Sequence, residues 1–584
     1  MQDNTNALLT GTIDYLSFVV LINGKELNSS YRLASISVNK EFSKISSAEI
    51  VLSDGDVAMG DFEMSSGEDF VIGNELEIQA GYGGENKVIF RGVIIKHAIK
   101  TDSDSSCLII TAKHKACKMA MKRVNALFAD MTDSDAIVQI VQKYDIAVNI
   151  DGADIKHESL TQFYCSDWDF INIRAEANGL LFFTGDEEIV VCRPNLSDEP
   201  KLTINYGSTI FDFEAEIDGR TSFSDYKAVS WNFTDQKLDE VTQKTGIGET
   251  EQGNLSSATI ASALGNDSYE VVIPSSLKDP AALSAWLDMR ILYDNLSRIN
   301  GSVRVYGYAD INPGDIIDLQ RLSDRFNGKT MVSGVEQKIE DGSWFTIIRF
   351  GLSGSLYARK YDDIHEMKAS GILPAVNGLQ IGHVVQIEED PLGEERILIS
   401  FPHFTSGENT FWARVALLDA GNGRGVFFRP EVGDEVVVGF INDHPNDAVV
   451  LGMLHSSSLP APVATEKDNF LKGIYTREKI KLEFDDEKKS LLIETPGGNR
   501  LCISDDAKGV SMEDQNGNKI TLDDSGVTIE SAKALNLKAA TDVTIEGNNI
   551  NIKANAAFKA EGASGAEVST SGSAVLKGSI VQIN

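Results

Sequence analysis

The chain has 584 residues, more than one hydrophobic core supports, so several domains are expected. Lys and Arg number 53 against 87 Asp and Glu, and the formal net charge of -34 excludes a phosphate backbone or an anionic membrane as a favoured partner. A hydrophobic fraction of 42% is ordinary for a globular protein and excludes extensive disorder.

Cysteine usage and the N-terminus indicate where the chain is made. Five cysteines without Cys-x-x-Cys spacing favour reduced thiols over a zinc cluster or a disulfide framework. Met1 to Thr10 shows no basic patch followed by an apolar run, and nowhere do 18 apolar residues follow one another. We therefore expect synthesis in the cytoplasm, with any export by a route other than a cleaved signal peptide.

The front of the chain, residues 1–368, reads as β-barrels interrupted by helices. Alternating apolar and polar residues predict strands from Ile13 to Ala98. Thr132-Asp-Ser-Asp135 has the spacing of an N-terminal capping box and predicts a helix after it. A second helix is predicted from about Pro280 to Leu296, with proline in its first turn. The fold class is therefore mainly β, with helical insertions.

Short, closely spaced strands follow in residues 376–455. Five of them in under eighty residues predict a small closed barrel of the oligonucleotide/oligosaccharide-binding (OB) type. Residues 456–475 begin with Ser456-Ser-Ser-Leu-Pro-Ala-Pro462 and are predicted to be a linker, because Ser and Pro neither build a core nor fill strand ladders.

The last segment, residues 476–584, repeats an apolar residue, any residue and a second apolar residue. The stride is nine to eleven residues at first and seven or eight beyond Leu522, which predicts a looser base and a regular needle. Side chains two apart in a strand share a face, so each unit is a short strand that must be stacked with others. A rod follows, either a three-chain intertwined β-helix or a single-chain parallel β-helix of about four coils. The residues expected in the core of a trimeric rod are Leu522, Ile529, Leu537, Ile545, Ile552, Val568 and Leu576.

Three segments carry a family likeness. The first is Gln162-Phe-Tyr-Cys-Ser-Asp-Trp-Asp-Phe170, followed by Arg174-Ala-Glu-Ala-Asn-Gly179. The second is Phe427-Phe-Arg-Pro-Glu-Val-Gly-Asp-Glu-Val-Val-Val-Gly-Phe440, and the third is Ile520-Thr-Leu-Asp-Asp-Ser-Gly-Val-Thr-Ile529. In this order they resemble VgrG-type spike proteins of type VI secretion systems, which are related to the hub and spike of contractile phage tails.

The resemblance implies a homotrimer that is assembled on a baseplate and delivered outside the cell, or into a target cell, without a signal peptide. Each chain would supply two similar hub barrels with an α/β insertion around 120–215, then the OB barrel and an intertwined triple-stranded β-helix. The implied partners are a hexameric inner tube protein, a PAAR-type tip protein, baseplate proteins, recruited effectors and, transiently, the target-cell membrane. A blunt apolar end favours a cap. The residues expected to bind the tip protein are Ile580, Val581, Ile583 and Asn584.

No catalytic residue, metal site or cofactor is expected. The four histidines of the barrel, His383, His403, His444 and His455, match no compact ligand set. Phe427, Phe428 and Arg429 could stack on an oligomer, but a core or trimer contact is favoured. The basic run from Lys113 to Lys118 is interpreted as a solvated helix face, with contact to an acidic partner as the alternative.

The sequence thus favours a non-enzymatic trimeric hub and cell-puncturing spike of a contractile injection machine. An extracellular contractile particle or a phage tail is the alternative machine. A carbohydrate-binding adhesin with a β-solenoid stalk is the hypothesis from another class, and it would need an export signal.

Overall fold

The computed structural model describes residues 15–56, 59–103, 105–153, 155–273, 280–404 and 409–583. Asn584 and the segment from Met1 to Thr10 lie outside them. The chain divides into two compact units, residues 1–377 with 440–447, and residues 378–439 with 448–584. We refer to the first as the hub, to the closed barrel of the second as the barrel, and to residues 471–583 as the spike. The predicted mainly β fold class is confirmed.

The hub begins with strands whose residues alternate between buried and exposed. These elements are β1 (Leu16–Ile22), β2 (Lys25–Glu26), β3 (Leu33–Glu41), β4 (Ser47–Ser53), α1 (Glu63–Ser66), β5 (Glu75–Tyr82), β6 (Glu85–Thr101) and β7 (Ser106–Lys113). In β3 every second residue from Ile36 onward is buried, as expected for a strand with one face on a core.

An α/β segment follows. It contains a 3-10 helix (Lys115–Ala120), β8 (Arg123–Thr132), α2 (Asp133–Gln142), β9 (Ala147–Ile150), β10 (Lys156–Ser166), α3 (Asp167–Ala177), β11 (Leu181–Thr184) and β12 (Glu188–Cys192). The predicted capping box of α2 is confirmed, because Thr132 Oγ1 accepts from Asp135 N at 3.0 Å and Asp135 Oδ2 accepts from Thr132 N at 3.2 Å.

The rest of the hub returns to strands. Its elements are β13 (Leu202–Asn205), β14 (Asp212–Ile217), β15 (Asp225–Asn232), β16 (Lys237–Lys244), α4 (Ser257–Leu264), β17 (Ser268–Ile273), α5 (Pro280–Leu296), β18 (Ile299–Tyr306), β19 (Ile316–Gln320), β20 (Gly328–Glu340), β21 (Ser343–Phe350), α6 (Tyr357–Lys360) and a 3-10 helix (Lys368–Gly371). The predicted helix at Pro280 is confirmed as α5, which buries Leu283, Leu287 and Ile291.

Thirteen hub strands form one sheet with two hydrophobic cores. The order is β14-β18-β21-β20-β3-β4-β7-β6-β5-β1-β2, and β19 joins β13 to β20. The strands β3 to β7 enclose one core around Ile50 and Ile78, and β18 to β21 enclose the other around Val303 and Ile348. The antiparallel pair β3 and β20 connects the two halves, so the two predicted hub barrels share a continuous sheet. Because β13 and β14 belong to this sheet, the α/β insertion ends before residue 202, earlier than predicted.

The five-stranded barrel of the second unit is confirmed. It closes in the order β22 (Gln380–Gln386), β23 (Ile397–Ser400), β24 (Thr410–Val415), β28 (Ala448–Met453) and β27 (Glu435–Phe440). A small hairpin of β25 (Ala420–Gly421) and β26 (Arg424–Gly425) precedes β27, and a 3-10 helix (Ile441–Asp443) follows it. Ile399, Ala413, Val436 and Val450 are buried inside the barrel.

The spike starts as a seven-stranded antiparallel meander. Its strands are β29 (Leu471–Tyr475), β30 (Lys481–Asp485), β31 (Ser490–Glu494), β32 (Arg500–Ser504), β33 (Gly509–Glu513), β34 (Lys519–Asp523) and β35 (Gly526–Glu530), each paired with the next. The linker predicted for 456–475 is therefore too long, because Leu471–Tyr475 pairs with β30. Residues 531–583 contain no strand within the chain.

Candidate assembly surface on the spike

One face of the spike meander carries two unbroken columns of apolar side chains. Residues directly opposite one another in successive strands define each column, because side chains alternate between faces along a strand. The first column is Ile474, Leu482, Ile493, Leu501, Met512, Ile520 and Ile529. The second is Phe484, Leu491, Ile503, Val510, Leu522 and Val527. We call these the apolar columns.

The apolar columns are poorly covered within the single chain. Met512 is 50% exposed, Ile529 52% and Val527 69%, whereas Ile50 and Ile78 of the hub core are fully buried. An apolar face of this extent on a folded domain indicates an interaction surface. Full burial of such side chains contributes about 1.5–3 kcal/mol each, so covering two half-exposed columns contributes roughly 10 kcal/mol per chain.

The opposite face of the meander is mostly polar, with Leu492 and Cys502 in its middle column, and one of its columns alternates in charge. Lys481, Glu494, Arg500, Glu513, Lys519 and Glu530 lie opposite one another in that order along the six strands from β30 to β35. Lys481 Nζ lies 2.9 Å from a carboxylate oxygen of Glu494. Opposite charges in directly paired positions favour this antiparallel register over a shifted one. The meander is therefore amphipathic, with one charged and one apolar face.

The predicted trimer-core residues fall into two groups. Leu522 and Ile529 lie on the same face of the meander, in different apolar columns. The others lie in residues 531–583, beyond the meander, where the chain makes no ladder with itself. All are exposed, from 62% for Ile545 to 92% for Val568, and the group comprises Leu537, Ile545, Ile552, Val568 and Leu576. The structure of one chain thus brings the first two together and leaves the remaining five without an apolar neighbourhood, so their role in a trimer stays a prediction.

A single-chain parallel β-helix is wrong for residues 471–530. Such a fold needs parallel ladders between successive coils. Every ladder between described residues of the spike is antiparallel and ends at Glu530. Beyond Glu530 the apolar pairs continue without a ladder among the described residues.

The predicted tip residues are exposed at the end of the described chain. Ile580 is 80% exposed, Val581 52% and Ile583 88%, while Asn584 lies outside the described residues. Three aliphatic side chains within four residues make an apolar end, and binding of a tip protein there stays a prediction.

The hub motif at residues 162–179 has a structural role. Ser166 caps α3, its Oγ accepting from Asp169 N at 3.0 Å, and Trp168 is buried in the core of the α/β segment. Gly179 ends the helix region with φ of +68°, a left-handed conformation that favours glycine. These residues fix the fold of the segment.

Arg174 of the same motif holds a buried carboxylate that the sequence did not single out. Its Nε and Nη2 donate to Asp133 at 2.6 and 2.9 Å, and Asn178 Nδ2 and His157 Nε2 lie 2.9 and 2.8 Å from the same carboxylate. Burial raises the pKa of Asp133, but the hydrogen bonds from Arg174, His157 and Asn178 and the Arg174 charge together hold the pKa below its usual range. No local sequence pattern predicts this cluster, because Arg174 and Asp133 are 41 residues apart and meet only in the folded chain.

A second buried carboxylate of α3 fastens the segment after β21. Both oxygens of Glu176 accept from Tyr357 N, at 3.0 and 2.9 Å, and Tyr357 Oη donates to Asp169 at 2.8 Å. Burial raises the pKa of Glu176 to about 7. The arrangement ties α6 to α3 and leaves these carboxylates engaged in the fold.

Three further features concern metal ligands, the basic run and membrane-spanning helices. No group of three or more His, Cys, Asp or Glu residues among the described residues could hold a metal ion. In the basic run from Lys113 to Lys118, His114 and Cys117 are buried, whereas Lys115 and Lys118 are exposed, as a solvated helix face requires. Across the described part of the chain, no helix is both long enough and apolar enough to cross a membrane.

Three family models match successive parts of the chain. The model described as the Alg8 N-terminal domain matches residues 12–341. That of the type VI secretion system/phage-baseplate injector OB domain matches residues 380–455, and that of the phage baseplate V C-terminal trimerisation domain matches residues 490–563. The last range contains most of the apolar columns and several predicted core residues.

The solved structures to which this chain is similar include three proteins. The tail protein from Neisseria meningitidis MC58 is 14% identical, with a TM-score of 0.43, and the match covers 58% of this chain and 97% of that one. The E. coli c3393 protein, described as a component of the type VI secretion system, is 14% identical, with a TM-score of 0.38 and coverage of 74% and 99%. The Francisella PdpA-VgrG complex is 9% identical, with a TM-score of 0.38 and coverage of 90% and 81%.

Proposed function

Because this chain belongs to the family of the Alg8 N-terminal domain and carries an injector OB domain and a trimerisation domain after it, we propose that it is the trimeric hub and puncturing spike of a contractile injection machine. Its role in such a machine is structural. The resemblance of the barrel and spike to type VI secretion and phage baseplate proteins is confirmed by the matched family models.

The observation that carries this proposal is the pair of uncovered apolar columns. Most of their residues lie in the segment matched by a trimerisation domain, and the five predicted core residues beyond them are exposed in the single chain. Three copies that turn their apolar faces toward a common axis bury both columns. Beyond Glu530, one strand per chain in each layer supplies the ladders that a single chain lacks. The result is a stiff rod with a polar surface.

At the other end, the hub is proposed to dock the inner tube. Each chain supplies two hydrophobic cores on one continuous sheet. Three chains therefore supply six such lobes, which suits a hexameric tube protein stacked on the ring. Baseplate proteins are proposed to surround the hub.

The far end of the spike is proposed to bind a tip protein. Three copies of Ile580, Val581 and Ile583 gather nine exposed aliphatic side chains at one end, which favours a cap of the PAAR type. Effectors are then carried by recruitment, and contact with the target-cell membrane is transient. The protein is proposed to be delivered out of the producing cell with the spike.

A non-enzymatic role accords with how the hub uses its polar residues. The buried carboxylates Asp133 and Glu176 are bound to Arg174 and to a backbone amide, respectively, in structural contacts. The OB match names both the secretion system and the phage baseplate, which favours an injection machine over a carbohydrate-binding adhesin.

Electron microscopy of the purified full-length protein tests this proposal. The expected particle has threefold symmetry, a ring of six lobes and one needle along the axis. Particles with a single two-lobed head and no common needle would contradict it.

A further inference from the structure

One face of the two-stranded ribbon formed by β8 and β10 is uncovered in the hub. The inner face of the ribbon packs on the core of the α/β segment through Phe128 and Leu160, which are buried. The outer face carries Leu127, which is 66% exposed, and Phe163, which is 78% exposed. Thr161 lies opposite Leu127, and Phe163 is two residues further along the same strand, so the two apolar side chains are diagonal neighbours on this face.

A β-bulge presents the aromatic side chains of the outer face. The register of the ribbon shifts between Gln162 and Cys165, and inside the bulge Tyr164 N donates to Asn125 Oδ1 at 2.8 Å. Tyr164 has a φ of +42°, a left-handed conformation that strains a residue with a side chain. Bulges and strained residues of this kind are found beside binding sites, where they aim side chains outward. We call Leu127, Phe163 and Tyr164 the ribbon face.

Basic residues border the ribbon face. The eleven residues from Lys113 to Arg123 contain five Lys or Arg and no Asp or Glu, in a chain with a net charge of -34. Residues three apart are aligned in a 3-10 helix, so Lys115, Lys118 and Met121 share one exposed side. Met121 is 65% exposed and precedes Leu127 by six residues, which span at most about 20 Å. The lysines and the ribbon face therefore fit within the reach of one short peptide.

Two lysines of this run keep their charge for a partner. Lys115 and Arg123 form ion pairs with carboxylates of the hub. Among the described residues, by contrast, no carboxylate pairs with Lys118 or Lys122, and both side chains are exposed. An apolar surface with unpaired cations at its rim is complementary to an acidic protein segment that carries an apolar side chain.

The charge of the whole chain favours such a segment over a polyanion. An extended nucleic acid or an anionic membrane meets the acidic surface beyond the lysines and is repelled by it. A short acidic segment responds to the local charge, because charges are screened over about 8 Å at physiological ionic strength. We propose that the ribbon face and the lysines beside it form a docking site for an acidic segment of another protein, with an aromatic or aliphatic side chain of that segment packed on Phe163.

Fluorescence anisotropy with the full-length protein tests this site. The probe is a fluorescein-labelled peptide in which glutamates alternate with leucines around one tryptophan, and its neutral counterpart carries glutamine in place of glutamate. Phe163→Ser and Lys118→Glu are each expected to raise the Kd of the acidic peptide about fivefold. The matched controls Tyr206→Ser and Lys25→Glu change exposed residues elsewhere on the hub and are expected to leave the Kd unchanged.

Several results would overturn the docking site. One is a wild type that binds no acidic peptide, and another is an equal Kd for Phe163→Ser and Tyr206→Ser. The neutral peptide, a single-stranded oligonucleotide or phosphatidylglycerol vesicles binding as tightly as the acidic peptide would show that the face does not select acidic protein. Binding by the monomeric variant Leu522→Asp alone would assign the face to a contact between copies. None of these results bears on the spike, whereas a monomeric wild type that binds the peptide would contradict the spike and leave this site standing.

Discussion

A charge placed in the apolar columns should break the trimer, whereas the same charge one residue away should not. Leu522 belongs to the second column and lies opposite Val510 and Val527. Thr521, its neighbour, lies on the opposite face of the meander, opposite Ser511 and Thr528. Leu522→Asp and Thr521→Asp therefore add one carboxylate each to the same strand, on opposite faces.

The expected loss of stability depends on whether the new carboxylate is buried or remains in water in the proposed trimer. Leu522 is 43% exposed in the single chain, so its replacement loses about 1 kcal/mol of burial per chain. Taking an unpaired carboxylate out of water costs several kcal/mol more per chain, and three like charges near one axis add repulsion. The trimer should lose roughly 10 kcal/mol or more in total. On the solvated face, Thr521→Asp should change its stability by less than about 1 kcal/mol per chain.

Sedimentation velocity of the two variants at micromolar concentration measures this difference. Leu522→Asp is expected to sediment mainly as monomer and Thr521→Asp as trimer. Because both variants keep the hub and barrel, their circular dichroism spectra should agree apart from the spike. Equal trimer stability in the two variants would refute the packing of the apolar columns around a common axis.

Three further predictions concern the tip and the hub. Removing Ser579 to Asn584 should abolish binding of the tip protein in a pull-down while the trimer persists, because the apolar end is lost and the meander is not. Arg174→Ala should lower the hub's free energy of unfolding by about 3 kcal/mol, because it leaves the Asp133 carboxylate buried without its cation. The control Arg220→Ala removes an exposed ion pair and should change that free energy by less than about 1 kcal/mol. Denaturant titrations measure both. Glu176 has a pKa raised from 4.5 to about 7, so its stabilising contribution is complete below pH 4.5 and is lost as the pH rises through 7. Between pH 5.5 and 8.5 the wild type should therefore lose about 2 kcal/mol of stability relative to Glu176→Gln.

Each of these has a result that would count against it. Tip binding that survives truncation would move the site away from the chain end. Equal losses for Arg174→Ala and Arg220→Ala would mean that Asp133 is not held as the structure indicates. A pH profile of Glu176→Gln that is parallel to the wild type would show that Glu176 does not take up a proton in this range.

Local sequence signals predicted the elements whose stabilising contacts are local. The capping box at Thr132 and the helix beginning at Pro280 depend on residues within one or two turns, and both are confirmed. The barrel strands were predicted because short alternating runs separated by turn residues define them. The apolar pairs from Ile520 to Ile529 likewise predicted β34 and β35.

Features that depend on distant residues were not predicted. The pairing of β3 with β20 joins segments some 300 residues apart, and no local pattern reports it. Leu471–Tyr475 falls in the predicted linker, because one lysine and one glycine interrupt its apolar pattern, although pairing with β30 makes it a strand. The first apolar residues of the spike form one series along the sequence, but in the structure they belong to two columns. Ile493 lies in the first column and Ile503 in the second. The turn at Asp514-Gln-Asn-Gly-Asn518 was the overlooked signal, because it reverses the chain between β33 and β34 as an antiparallel meander requires.

The mass of the full-length protein in solution tests the central claim most directly. Light scattering coupled to size-exclusion chromatography, at micromolar concentration, should give three times the chain mass of 63.5 kDa. The value should persist on tenfold dilution, because burial of the apolar columns, at roughly 10 kcal/mol per chain, favours the trimer. A mass equal to one chain would contradict the trimeric spike.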